Sequence, residues 1–186
     1  MATRAKEDNR EVLILVQDEG RFGRISRPTR CWAPLPFRPV VGAQIVREYI
    51  YMYAAVCPKN GQLSALILPD ANTEMMSLFL EKVALDFKDY FVVMQVDGAA
   101  WHRSKDLVVP SNIRLIKQPA YSPELNPVEH IWDDIREKEF ANRVHDSIDS
   151  VMDSLCLGFH RLKKWPEYLS SMTCFSHLNI TLSNAN

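Results

Sequence analysis

Three carboxylates stand where chemistry is expected. Asp18 follows the apolar run Val12–Val16, Asp97 follows Phe91–Val96, and Glu129 comes just after Asn126-Pro127. Short continuous apolar runs of β-favouring residues read as buried strands. Asn before Pro reads as a helix start, because proline's fixed φ and missing N–H suit a first turn. Acids at two strand ends and one helix start can meet at a single sheet edge, where ligands of open α/β sheets collect. Brought together they repel, and their pKa values rise unless positive charge sits among them. Magnesium or manganese meets that need, since hard cations take oxygen ligands. Two such ions about 3.5–4 Å apart can activate a water or 3′-hydroxyl on one side of a phosphodiester and stabilise the leaving oxygen on the other.

Each acid also has a plainer reading. Asp18 and Asp97 suit ordinary strand–loop junctions, and Asn126-Pro127-Val128-Glu129 fits a capping box. Glu19 would face away from Asp18 if the strand continued, so Asp18 is the preferred ligand. His102, five residues after Asp97, is placed to approach a phosphate or to serve as a hydrogen-bonding scaffold. Trp101 and Trp132 read as core packing, and Asn126 as the cap that positions Glu129. Arg21, Arg24, Arg27, Arg30 and Arg38 follow one another with no acid between them. The first four are the first choice for phosphate contacts, with Lys117, Arg136 and Lys138 next; a solvated loop is the alternative. Cys156 with His160, then Cys174 with His177, match no trusted zinc spacing.

The elements that must position these groups can be read in order. A strand over Val12–Val16 stops at Gln17-Asp18-Glu19-Gly20, and Pro28, Pro34, Pro36 and Pro39 then make a long loop. Ile45–Val56 and Leu63–Leu68 flank Pro58-Lys59-Asn60-Gly61 as a hairpin. Thr73 is expected to cap an amphipathic helix reaching Asp89. Strands over Phe91–Val96 and Ile113–Ile116, a helix from Asn126 and a helix over Ser147–Leu162 complete the pattern. The segment after Trp165-Pro166 is weakly patterned. This order implies an α/β mixed sheet with helices packed on it.

The 186 residues fit one compact domain, and 47% hydrophobic with 24% charged residues excludes a disordered chain, a fibre or a disulfide miniprotein. Four scattered cysteines without a CxxC pair read as reduced thiols. No apolar run reaches the roughly 18 residues needed to span a bilayer, and no secretory h-region opens the chain, so a cytoplasmic protein without a membrane partner is expected.

Gln118-Pro119-Ala120-Tyr121-Ser122-Pro123-Glu124-Leu125-Asn126-Pro127-Val128-Glu129-His130-Ile131-Trp132 closely resembles the third-acid motif of DDE transposases of the Tc/mariner superfamily, especially its bacterial insertion-sequence branch. Val96-Asp97-Gly98-Ala99-Ala100-Trp101-His102 is similar to the second-acid motif, and Val16-Gln17-Asp18-Glu19-Gly20 to the first. There are 31 residues between Asp97 and Glu129, close to the family's spacing. The resemblance implies a ribonuclease H-like fold, a five-stranded mixed sheet flanked by helices. It implies Asp18, Asp97 and Glu129 as catalytic metal ligands for Mg²⁺ or Mn²⁺, two ions together. The activity implied is DNA strand cleavage and strand transfer at transposon ends, by at least a homodimer in a synaptic complex. Residues 1–10 read as an extension, 11–165 as the catalytic domain and 166–186 as a tail. With about ten residues before the first strand, the expectation is that end recognition comes from a separate helix-turn-helix polypeptide or that the chain is a fragment or relic, and that it is found in the cytoplasm at the nucleoid. A catalytically silent, transposase-derived DNA-binding or dimerising domain is the alternative.

Overall fold

The fold was examined as a computed structural model, which describes residues 8–26, 28–119 and 125–175. The chain order is β1 (Glu11–Ile25), β2 (Ile45–Val56), β3 (Leu63–Leu68), α1 (Thr73–Asp86), β4 (Tyr90–Val96), a 3₁₀ turn (Ala100–Arg103) and β5 (Ile113–Lys117). Then follow α2 (Val128–Ile135), a π-helical turn (Arg136–Phe140), α3 (Ile148–Lys163) and α4 (Pro166–Thr173). The sheet order is β3-β2-β1-β4-β5. The three strands of the β1–β2–β3 meander are antiparallel, whereas β4 runs parallel to β1 and β5 parallel to β4. This is the mixed five-stranded sheet the sequence implied.

Period-2 alternation sends β1 side chains to two separate cores. Leu13 and Leu15 pack with Met76, Phe79, Leu80 and Val83 of α1 on one face. Val16 and Phe22 pack with Val128, Ile131, Trp132 and Ile135 of α2 on the other, beside Leu155 and Leu162 of α3. Gly20 permits the second contact, because a Cβ there would stand 2.8 Å from the Trp132 indole.

Four boundaries differ from the sequence reading. β1 does not stop at Gln17-Asp18 but continues to Ile25, because β2 pairs with it antiparallel from Val16↔Val56 to Ile25↔Ile45. Asp18 is therefore within a strand, and the loop proper starts only at Ser26. The cap of α1 is Asn72, whose side chain accepts from the Met75 N–H, and the helix ends at Asp86. α2 begins at Val128, one residue after Pro127 rather than at it. Finally, the unpatterned segment after Trp165 forms α4, which buries Leu169 completely in the second core. Gly61, with φ +70°, makes the hairpin turn beneath it, and a Cβ there would lie 1.9 Å from the Pro166 carbonyl oxygen. Ser147 caps α3 through a reciprocal bond with Ser150. Among the described residues no helix is long and apolar enough to cross a membrane.

Candidate active site

The parallel β1–β4 register ends at Val16↔Gln95. Carried two residues further, that register would run the backbone of Asp97 beside Asp18, one residue past the end of β4, where β1 continues paired with β2. Glu129 comes from the first turn of α2, which is fixed to β1 by Trp132. That indole is 1% exposed, packs edge-on against Phe22 and donates its Nε1–H to Asp18 Oδ2 at 3.1 Å. Asn126, 5% exposed, accepts from the Val128 N–H with its side chain and from the Glu129 N–H with its carbonyl. It thus organises the start of α2 from two residues outside it. Among the described residues the Glu129 carboxylate makes no bond back to the Asn126 N–H, so a capping box does not consume it. Ala120–Glu124 of the third motif lie outside the described residues.

Burial pushes the Asp18 carboxyl up to about 7, and the charge of Glu19 adds to this. The Trp132 N–H offsets part of the rise, and Glu129 contributes to it. A half-buried acid raised by two neighbouring acids is a donor set short of positive charge, and hard oxygen donors suit a divalent cation. Asp97 is held differently. The His102 side chain holds its carboxyl below the usual range against the opposing effect of burial, with the Ala99 N–H assisting at 2.8 Å. His102 Nδ1 lies 2.7 Å from Asp97 Oδ1, at ion-pair distance but outside hydrogen-bonding geometry. Burial would lower the imidazole pKa, yet Asp97 and Glu19 outweigh it and raise the ring to about 9. Among the described residues no three His, Cys, Asp or Glu side chains converge as placed closely enough to hold a metal ion.

The candidate phosphate contacts occupy varied positions. Lys117 is exposed at the end of β5, with its Cε against Gly98 and so beside Asp97. Arg21 is exposed and stacks over the Tyr49 ring at 4.7 Å. Arg24 is tied to Glu48 at 2.7 Å and to the His145 carbonyl at 2.9 Å. Arg30 is exposed in the loop, and Arg27 lies outside the described residues. Arg21 and Arg24, with Arg136 and Arg143, line one groove of about 340 Å³. Arg143 was not singled out by its sequence context, which carries no motif. Lys138 is exposed and engaged by Asp134 and the Tyr168 hydroxyl. His102 is not a surface group: its side chain is 1% exposed and both ring nitrogens face carboxylates. Glu19 and the Trp132–Asp18 bond were also missed; the alternation after Asp18 was the available signal for the first. Of the zinc candidates, His177 lies outside the described residues.

The family model described as DDE superfamily endonuclease matches residues 13–152. The chain belongs to that family. Uncharacterized protein y4pE/y4sA of Sinorhizobium fredii (strain NBRC 101917 / NGR234) is 34% identical over 125 residues, 67% of this chain and 93% of that protein. Among solved structures, the Mos1 mariner paired-end complex with Mn is similar at TM-score 0.56 and 16% identity, covering 93% of this chain and 58% of that one. The Mos1 strand transfer complex is similar at TM-score 0.54 and 16% identity, over 92% and 58%. This member of the DDE family thus shares the ribonuclease H-like fold of those complexes while spanning less than three fifths of their chains.

Proposed function

We propose that this chain is the catalytic domain of a DNA transposase, cleaving DNA strands at transposon ends and joining the freed 3′-hydroxyl to target DNA. What supports this reading is the β1–β4 register, which if extended two residues runs Asp97 beside Asp18, and the Trp132–Asp18 bond, which ties the Glu129-bearing helix to β1. Asp18, Asp97 and Glu129 are the proposed ligands of Mg²⁺ or Mn²⁺, two ions in all, as the elevated Asp18 pKa supports. When bound, such ions neutralise the phosphate and make a hydroxyl nucleophilic at neutral pH. The chain's own residues have the remaining tasks. Trp132 orients Asp18, Asn126 sets the first turn of α2, and Lys117 approaches the phosphate from the β5 side. Arg21, Arg24 and Arg30 fix the duplex through its backbone.

Phosphate contacts position DNA and do not read it, so a separate helix-turn-helix polypeptide is the proposed source of end recognition, and the nucleoid the proposed location. The β1–β2 loop carries Trp32, Leu35, Phe37 and Val40 at 103%, 96%, 73% and 96% exposure. Exposed apolar surface of this kind marks association and supports a homodimer in the synaptic complex.

The test is nicking of supercoiled plasmid with Mg²⁺, Mn²⁺ or EDTA. Wild-type nicking should need metal, and Asp97→Asn should lower it by at least about a thousandfold, ~4 kcal/mol of barrier. Metal-independent cleavage, or full activity in that variant, overturns the proposal. The silent, DNA-binding alternative predicts a different result. Metal binding without cleavage on any DNA would select it.

A further inference from the structure

Glu19 projects from the face of β1 opposite Asp18, yet its side chain is only 6% exposed. Its Oε1 accepts from two donors, Trp101 Nε1 at 3.2 Å and His102 Nε2 at 2.9 Å. The other ring nitrogen of His102 is the one 2.7 Å from Asp97 Oδ1. A carboxylate–imidazole–carboxylate chain therefore runs from the interior of β1 to the first residue beyond β4. The His102 side chain is 1% exposed, so the ring has no water to turn to. Both contacts to Asp97, from His102 and from the Ala99 N–H, fall on Oδ1. Oδ2 has no partner among the described residues, and the Asp97 side chain is 45% exposed.

This arrangement is more than a packing solution. A buried carboxylate is costly to desolvate, and a neutral acceptor would satisfy the Trp101 and His102 N–H groups at lower cost. A carboxylate behind the ring anchors Nε2 with a charge-assisted bond and so fixes the face that the ring turns to Asp97 Oδ1. We propose that Glu19 is a positioning residue, which through His102 fixes the Asp97 carboxylate by Oδ1 and leaves Oδ2 for the cation beside Asp18. The proposal rests on the reading of Asp97 as a metal ligand. Partners of this outer kind, which orient a ligand without touching the metal, are worth about 10–100-fold in metal affinity or activity.

The experiment is Mn²⁺ titration calorimetry on the whole chain and on Glu19→Gln, His102→Gln and the double variant, with thermal unfolding and plasmid nicking alongside. Glu19→Gln and His102→Gln should each weaken Mn²⁺ binding about tenfold. The double variant should lose no more than either, because both act on one carboxylate. A merely structural Glu19 would lower Tm and leave the Mn²⁺ affinity of the folded chain unmoved. Affinity within twofold of wild type in Glu19→Gln, or losses that multiply in the double variant, would overturn the proposal. His102→Gln carries the same test should Glu19→Gln not fold, since its amide cannot bridge the two carboxylates. Wild-type chain that neither binds Mn²⁺ nor nicks DNA defeats the metal reading and this proposal together. Wild-type binding with an unaffected Glu19→Gln defeats this proposal alone.

Discussion

Arg161 of α3 ties down the C-terminal end of the helix that carries Glu129. Its Nη2 donates to Asp134 Oδ2 at 2.6 Å and its Nε to Glu139 Oε1 at 3.1 Å. Asp134 lies in the last turn of α2 and Glu139 in the π-helical turn; they are 8% and 5% exposed. Arg161→Met keeps the apolar stem and leaves Glu139 with Arg143, at 3.9 Å, as its nearest cation. Removing one partner of a fully buried pair costs about 3–5 kcal/mol. The Arg161 side chain is 28% exposed, and Lys138 and Tyr168 still hold Asp134. After that discount about 2 kcal/mol remains. In a chain of this size that corresponds to a fall in Tm of about 4–8 °C. The pH dependence has a definite sign. Burial raises the Asp134 pKa, but Lys138, Tyr168 and Arg161 outweigh it, and the folded value lies below the ordinary one. Such a group contributes stability above its unfolded pKa of about 4 and loses it as pH falls through the folded value. The wild-type advantage over Arg161→Met should be complete at pH 7 and shrink below about pH 4. Thermal unfolding followed by circular dichroism across that range measures it. A Tm within about 2 °C of wild type at pH 7, or a deficit unchanged at pH 3, would refute the reasoning.

Two further outcomes are expected. Leu169→Ala, in the helix α4 that carried no clear sequence pattern, should cost about 2–5 kcal/mol in urea unfolding with a single transition; a separate, earlier transition would show that α4 is not part of the cooperative unit. Lys117→Ala should weaken binding to all DNA sequences alike and reduce the slope of log K against log salt by about 1. A loss confined to one sequence would exclude a phosphate contact.

The apolar runs Val12–Val16 and Phe91–Val96 were legible because burial on both faces leaves a continuous hydrophobic signature, and the Pro58–Gly61 turn announced its hairpin. β1 was under-read because Gln17, Asp18 and Glu19 are polar; what extends the strand is the twelve-residue β2 lying against it, a long-range pairing that no local window contains. The three acids were found through motif resemblance, since each singly has an ordinary structural explanation. Glu19 was set aside for the right geometric reason, its opposite face, but that face holds His102 only because the 3₁₀ turn after β4 folds back toward β1. α4 escaped because eight residues with Pro at the start and few apolar positions give too short a period to detect.

The distribution of the acids along the chain has a temporal consequence. Asp18, Asp97 and Glu129 lie in β1, just after β4 and in α2, elements whose contacts span most of the chain. Synthesis proceeds from the N-terminus, and distant pairings form late because loop closure must precede them. A nascent chain that has emerged only as far as β5 carries Asp18 and Asp97 but neither Glu129 nor the Trp132 that seats it. On the proposed function, the three acids cannot act together over that interval.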